Sequence, residues 1–210
     1  MIGIDQRGHG HSPDGPWALS YRQMADDTAT VIEQMKLGRV DVVGHSDGGN
    51  VALLLARYYP GLVRRVAISG ANIRGLSPQD LTAQNALPKH RFDERFQALA
   101  ARLPAHFSTD YAAVSPDGKD HWMAMVSKCY SLWSQSVVIT PADLKNIGAQ
   151  VLVIAGDHDL TTLEETGEIF RGLAHGQLMV VPASGHATFL THADLVNLAI
   201  SDFLDSPGGP

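Results

Sequence analysis

The 210-residue sequence predicts an α/β fold: a mostly parallel sheet with flanking helices and a helical lid inserted between two of its strands. Three observations lead there. Short apolar runs bounded by glycine and polar residues recur along the chain, helical patterns alternate with several of them, and one long interval lacks strand-like runs. The length suits one domain carrying an insertion and is short for two ordinary domains.

The apolar runs are Met1 to Ile4, Val40 to Val43, Val63 to Ile68, Val151 to Ala155 and Leu178 to Val181. Such runs read as buried strands of a parallel sheet. After the first, Ser20 and Gln23 make a capping box, and Met24, Thr28, Val31, Ile32 and Met35 share one helical face until Gly38 stops the helix. Asn50 to Tyr59 is apolar nearly all round, which predicts a buried helix ended by Pro60 and Gly61. Glu164 to Leu173 and Ala193 to Leu204 are the third and fourth helices, each following a strand. The exceptional interval, Asn72 to Gly148, carries Phe92, Phe96, Phe107, Tyr111, Trp122, Tyr130 and Trp133 in segments of helical character. It is the expected lid over the carboxyl edge of the sheet, where open α/β sheets bind ligands. Its aromatics supply the lid's own core, with Trp122 and Trp133 as candidate substrate contacts. The expected organisation is a core of residues 1–71 and 149–205, a cap of 72–148, and a disordered tail of 206–210.

Composition excludes several functions. Hydrophobic residues at 44% and charged residues at 18% are ordinary globular values, not those of a disordered or fibrous chain. A net charge of -6 with no basic block speaks against a nucleic-acid surface. Cys129 is the only cysteine, so neither an intramolecular disulfide nor a cysteine metal cluster forms, which fits a reducing compartment. No apolar run approaches the roughly 20 residues that span a bilayer, and no secretory leader precedes the first run. A soluble, cytoplasmic protein is expected.

The chemistry starts at "DVVGHSDGGNVALLLA". Gly44-x-Ser46-x-Gly48 sits where a strand ends and a helix begins. By composition alone this spacing arises in roughly one chain in ten of this length, so the motif carries little by itself. Its context carries more. A sharp strand-to-helix turn pushes the middle side chain out above the sheet and demands small neighbours two positions either side. The following helix directs its N-terminal N–H groups to the same place, so the Asp47 amide and the helix dipole favour a developing oxyanion. A serine hydroxyl also needs a base, and the base an orienting carboxylate. "VLVIAGDHDL" offers Asp157 and Asp159 after a strand, and "LMVVPASGHATF" offers His186 after the next. All three groups converge above one sheet edge.

Through "DQRGHGHS", "GHSDGG", "AGDHD" and "SGHATF" the chain resembles the α/β-hydrolase family over nearly its whole length. The resemblance implies Ser46 as nucleophile, His186 as general base and Asp159 as acid, with Asp157 a surface or loop-fixing residue. It implies a serine hydrolase acting on a small carboxylic ester through an acyl-enzyme, with no metal or organic cofactor. Carbon–carbon bond hydrolysis by the same residues is the alternative chemistry, and a weak or inactive remnant that binds a small ligand under the lid is the alternative of another class. Serine at the elbow argues against haloalkane dehalogenases and epoxide hydrolases of this fold, whose nucleophile is a carboxylate. The elbow "GHSDGGNVALLLARYYP" and the following "AISGAN" are similar to valacyclovir-hydrolase-like enzymes, in which the aspartate after the nucleophile selects amine-bearing esters; a helix-capping Asp47 is the rival. His45 reads as a packing histidine beside the site, since adjacent residues on a sharp turn point in different directions. His9 and His11 lie in the loop that shapes the pocket floor in the family, without the further ligands a metal needs, and His158 turns its ring away from Asp159.

In the family, the strand carrying the aspartate-arginine-glycine motif is the fourth of eight, and the loop before it supplies a second oxyanion donor. Here the chain begins inside that strand, which leaves a gap beside the strand carrying Ser46. Loss of one such donor costs about 100-fold to 1000-fold in turnover. Three accounts follow: a truncated product of a longer protein, which is the favoured one; a rearranged sheet completed in a homodimer by strand pairing; or a weak remnant.

Overall fold

The structure, a computed structural model, describes residues 1–75, 103, 105–134 and 138–207. Its contacts divide the chain into two compact units, Met1–Met24 with Arg74–Ser136, and Ala25–Ile73 with Val137–Pro210. Helix α1, Tyr21–Gln34, spans the boundary.

The second unit holds β1 (Val40–His45), α2 (Asp47–Tyr58) and β2 (Val63–Ser69), then, later in the chain, α5 (Pro141–Lys145), β3 (Gln150–Gly156), α6 (Leu163–Gly172), β4 (Gly176–Val181), α7 (Thr188–Thr191) and α8 (Ala193–Asp205). The four strands form one parallel sheet in the order β1-β2-β3-β4, with a register irregularity between Val40 and Asp41. The two inner strands are buried along almost their whole length. Strand alternation points Ala67, Leu152 and Ile154 at Val196 and Phe203 of α8, in a cluster closed by Val181. Helix α2 covers β1 and β2 with Leu53 and Leu55, both fully buried, and α6 packs on β3 and β4. Burying each such leucine contributes about 1.5–3 kcal/mol. Arg65, inside the apolar run of β2, is buried too. Its guanidinium donates to Gln150 Oε1 and to the carbonyls of Leu204 and Ser206, so the C-terminal end of α8 receives a cation where its carbonyls are unsatisfied.

Two expectations about strands need correction. Met1 to Ile4 is not a strand: Met1 is fully exposed, Ile2 half exposed, and the run joins no ladder among the described residues. An apolar run becomes a strand only where a neighbouring backbone accepts its hydrogen bonds, and this short run, broken by Gly3, has none. Nor are β1 and β4 buried strands. Each has one hydrogen-bonded neighbour among the described residues, and Val43, at 56% exposure, and Leu178 and Val180, near 41%, face outward. Run length alone did not distinguish edges from centre. In α1 the buried face is Met24, Ala25, Thr28, Ala29 and Ile32, whereas Met35 lies past the helix end and is exposed.

Helix α5 opens on a full capping box: the Asp143 amide donates to Thr140 Oγ1, and the Thr140 amide and hydroxyl donate to the Asp143 carboxylate. Asp143 also accepts from Arg57 of α2 at 3.1 Å. Burial pushes its carboxyl up, but the bonds from Thr140 and Arg57 outweigh that and hold it below the usual range.

In the first unit, α3 (Ala105–Val114), a 3-10 turn (Lys119–His121) and α4 (Trp122–Trp133) are helical, as the lid pattern predicted for this part of the interval. Phe92 and Phe96 lie outside the described residues, as do residues 208–210 of the expected tail. Tyr111 and Tyr130 are buried, Trp122 and Trp133 half-buried, and Phe107 exposed. Asp14 anchors the N-terminal segment: its carboxylate accepts from Lys128 Nζ at 2.6 and 2.7 Å and bonds His121 Nε2 at 2.7 Å. Burial raises this carboxyl, but Lys128 and His121 lower it further. No helix among the described residues is long and apolar enough to cross a membrane.

Candidate active site

The β1–α2 junction is as sharp as the glycine spacing predicts. Ser46 has φ 52 and ψ -120, a region that non-glycine residues rarely adopt and that costs of order 1–3 kcal/mol. Its amide donates to Ser69 O at 2.8 Å, and its carbonyl accepts from the amides of Gly49 and Asn50 at 2.9 and 3.2 Å. Ser46 is the N-cap of α2, yet its hydroxyl makes no capping bond. The hydroxyl is bonded to a histidine instead.

The two glycines of the spacing are not equivalent. A Cβ on Gly44 would overlap the backbone carbonyl of Gly48, so Gly44 is required by the turn. A Cβ on Gly48 would meet nothing within 4 Å among the described residues, which corrects the expectation that both must be small. The second close approach belongs to Gly49, where a Cβ would lie 2.9 Å from that of Ala71.

Asp159 follows β3, and His186 follows β4. Their two loops are tied together by backbone bonds from Asp157 to Val181 at 3.1 Å and from His158 to Ser184 at 2.9 Å. The Asp157 carboxylate accepts from the amides of Ala183 and Ser184, both at 3.0 Å, and His158 Nδ1 donates to it at 2.7 Å. Those bonds, the one from His158 first, hold the Asp157 carboxyl far below the usual range. Asp157 thus clamps the loop that carries His186, including Ala183 at φ 54.

His186 joins the other two groups: its Nδ1 is 2.7 Å from Asp159 Oδ1 and its Nε2 is 2.9 Å from Ser46 Oγ. Ionised Asp159 only accepts, so Nδ1 carries the proton, and Nε2 offers a lone pair to the Ser46 hydroxyl. The Asp159 side chain is fully buried and that of His186 is 27% exposed. Burial raises the Asp159 carboxyl, but its bond and charge attraction with His186, together with the Thr161 amide at 3.2 Å, prevail and leave it below its ordinary value.

His45 packs beside this line. Its ring lies 4.6 Å from that of His186 and edge-on to Phe189 at 4.3 Å, and its Nδ1 donates to Ser69 O at 3.2 Å. Burial, and then repulsion from His186, push its pKa down, so it is held neutral. Asp47 is the first residue of α2, half-buried, and its charge acts on His45. Ser46, Asp159, His186, His45 and Asp47 are therefore assembled in one unit. Trp122 and Trp133 belong to the other, where the rings of Trp122 and Tyr111 lie 5.5 Å apart, tilted at 52°. In that unit His11 bonds Asp5 through its amide and Nδ1, at 2.9 and 3.0 Å, and His9 Nδ1 donates to Arg7 O at 2.9 Å. No group of three or more metal-ligating side chains occurs among the described residues. Sequence reasoning missed Phe189, which packs on His45, and Gly70, where a Cβ would lie 2.8 Å from Cε1 of His186. Phe189 carried no signal, while Gly70, directly after an apolar run, carried the ordinary mark of a close backbone approach.

Comparison with known proteins bears on this geometry. The sequence matches the family described as "Alpha/beta hydrolase family" over residues 2–199. It is 28% identical over 228 residues to a non-heme chloroperoxidase of Streptomyces lividans, covering 98% of this chain and 82% of that protein. It is 25% identical over 208 residues to the serine hydrolase BPHL of Homo sapiens, covering 97% and 69%. In fold it is similar to a meta-cleavage product hydrolase from Pseudomonas fluorescens IP01, with a TM-score of 0.73 at 20% identity, covering 95% of this chain and 77% of that one. With a parallel sheet, a strained serine at a strand-to-helix turn and a family match along almost its entire length, the chain belongs to the alpha/beta hydrolase family.

Proposed function

We propose that this chain is a serine hydrolase that cleaves a small carboxylic ester through an acyl-enzyme. The observation that carries the reading is the continuous bonded line from Ser46 Oγ to His186 to Asp159, at 2.9 and 2.7 Å, on a serine held in a strained turn. Ser46 Oγ attacks the ester carbonyl as His186 Nε2 takes its proton. The tetrahedral oxyanion forms beside the Asp47 amide at the positive end of α2. Collapse expels the alcohol, which leaves with the proton from His186, and an acyl group stays on Ser46. Water, activated by the same nitrogen, then releases the carboxylic acid. Asp159 keeps the imidazole in the Nδ1–H form and offsets its positive charge. His45, held neutral, adds no second cation next to it.

Asp47 directs the choice of substrate in this reading. A carboxylate next to the nucleophile attracts an ammonium on the acyl side and repels an anionic one. The likeness to a relative named a serine hydrolase supports the reaction class. The test is turnover of a panel of small esters with neutral, anionic and amino-bearing acyl groups. Hydrolysis that prefers amino-bearing esters, and loses that preference in Asp47→Asn, supports both parts. Turnover without preference removes the role of Asp47, and a panel left intact removes ester hydrolysis.

A further inference from the structure

We infer that Gly70, just past the end of β2, is a positioning residue for His186, a role that rests on the triad reading above. Gly70 has φ +63, and a Cβ there would lie 2.8 Å from Cε1 and 2.9 Å from Nδ1 of His186. Real Cβ atoms do not approach so closely, so either the backbone or the ring must give way.

The backbone is the stiffer of the two. The Gly70 amide donates to Ile154 O at 3.3 Å, and its carbonyl accepts from Thr161 Oγ1 at 3.4 Å. Ala71 is already so close to α2 that a Cβ on Gly49 would crowd it. One residue on, Asn50 Nδ2 donates to Asn72 Oδ1 at 2.8 Å while the Asn72 amide donates to Asn50 Oδ1 at 3.0 Å, a reciprocal pair with Asn50 1% exposed. Ile73 is held in turn by its amide bond to Glu165 Oε1 at 2.8 Å. The segment 70–73 is therefore fastened to α2, β3 and α6, the elements that follow the serine and flank the acid. The imidazole turns about two side-chain bonds. A methyl at position 70 displaces the ring, and the displaced ring loses the 2.7 Å contact with Asp159 or the 2.9 Å contact with Ser46. Glycine at 70 is thus what lets the base stand upright between acid and nucleophile.

Gly38 provides the control. It shares the left-handed backbone, with φ +70, but a Cβ there would meet nothing within 4 Å among the described residues. Gly38→Ala and Gly70→Ala carry similar backbone strain, and only the second carries the collision. The experiment compares the two in the full chain, for thermal stability in the presence and absence of His186→Ala, and for ester turnover and fluorophosphonate labelling of Ser46. Relative to Gly38→Ala, Gly70→Ala is expected to lower kcat about 100-fold at unchanged KM if the ring yields, or to melt earlier if it does not. In the His186→Ala background that extra loss of stability disappears. Equal melting in both backgrounds, with kcat and labelling like those of Gly38→Ala, overturns the proposal. The stability comparison needs no activity, so a wild-type chain that neither labels nor turns over removes the catalytic reading, while an extra loss of stability in Gly70→Ala that vanishes with His186→Ala still supports the room Gly70 makes for the ring.

Discussion

Two aspartates two residues apart on one turn do different work, and the difference lies in what each oxygen faces. Asp159 is fully buried against His186, whereas Asp157 spends its carboxylate on the amides of Ala183 and Ser184 and on His158. Asp159→Asn places an amide where Nδ1–H needs an acceptor and favours the other tautomer. The expected loss in kcat/KM is about 10⁴-fold with melting little changed. Asp157→Asn loosens the loop instead: melting temperature falls, and turnover survives far better than in Asp159→Asn. Kinetics and thermal melting of the two variants, on whichever ester is turned over, check this, and a dead Asp157→Asn beside an active Asp159→Asn exchanges the roles. From sequence, position after the turn glycine was the only ground for choosing between them. The clamp on Ala183 and Ser184 was not legible, because it joins residues 26 and 27 positions apart.

At the scale of elements, the β1–α2 turn shows how a short motif combines a requirement with a convenience. Gly44 lies under the Gly48 carbonyl and has no room for a side chain, whereas Gly48 is an open position in the first turn of α2. Gly48→Ala is expected to be neutral or to stabilise by up to about 1 kcal/mol, since alanine favours helix over glycine. Gly44→Ala should destabilise by about 1–3 kcal/mol through overpacking and should disturb Ser46. Urea unfolding of both variants measures this; equal losses would mean that the turn is not built around the contact between positions 44 and 48. The helix following the serine was readable because its apolar residues are buried all round. The edge character of β1 and β4 was not, because a run of valines and leucines states what suits a strand and not how many neighbours the strand finds.

For the whole molecule, the alternation of apolar runs and helical patterns was enough to place four strands and the helices after them, and the motifs at the strand ends put Ser46, two aspartates and His186 there in that order. What it left out was contact between distant segments: the Asn50–Asn72 pair, the buried Arg65 at the end of α8, and the ring of His45 against His186. Contacts made in the folded state also set the response to acid. Asp5, Asp14, Asp143, Asp157 and Asp159 all have carboxyls below the ordinary value of 3.8, for the most part through partners formed only on folding. Groups whose folded pKa is depressed contribute stability above the unfolded value and lose it as pH falls through the folded one. His45 acts earlier: it is kept neutral when folded but charges below its ordinary value of 6.5 when unfolded. Melting temperature should therefore begin to fall below about pH 6.5 and fall more steeply below about pH 4. His45→Gln should flatten the first part of that decline and leave the second, as melting followed against pH would show; an unchanged first part would assign it to another group.

The central claim is that Ser46 is an activated nucleophile, and reaction with a fluorophosphonate tests it most directly. The full chain, shown to be folded by circular dichroism, is treated with the reagent, and the modified peptide is mapped by mass spectrometry. The predicted result is one phosphonyl group on Ser46, absent from Ser46→Ala and nearly absent from His186→Ala. A folded protein that stays unmodified, or one modified equally well without His186, would contradict the claim that this histidine activates this serine.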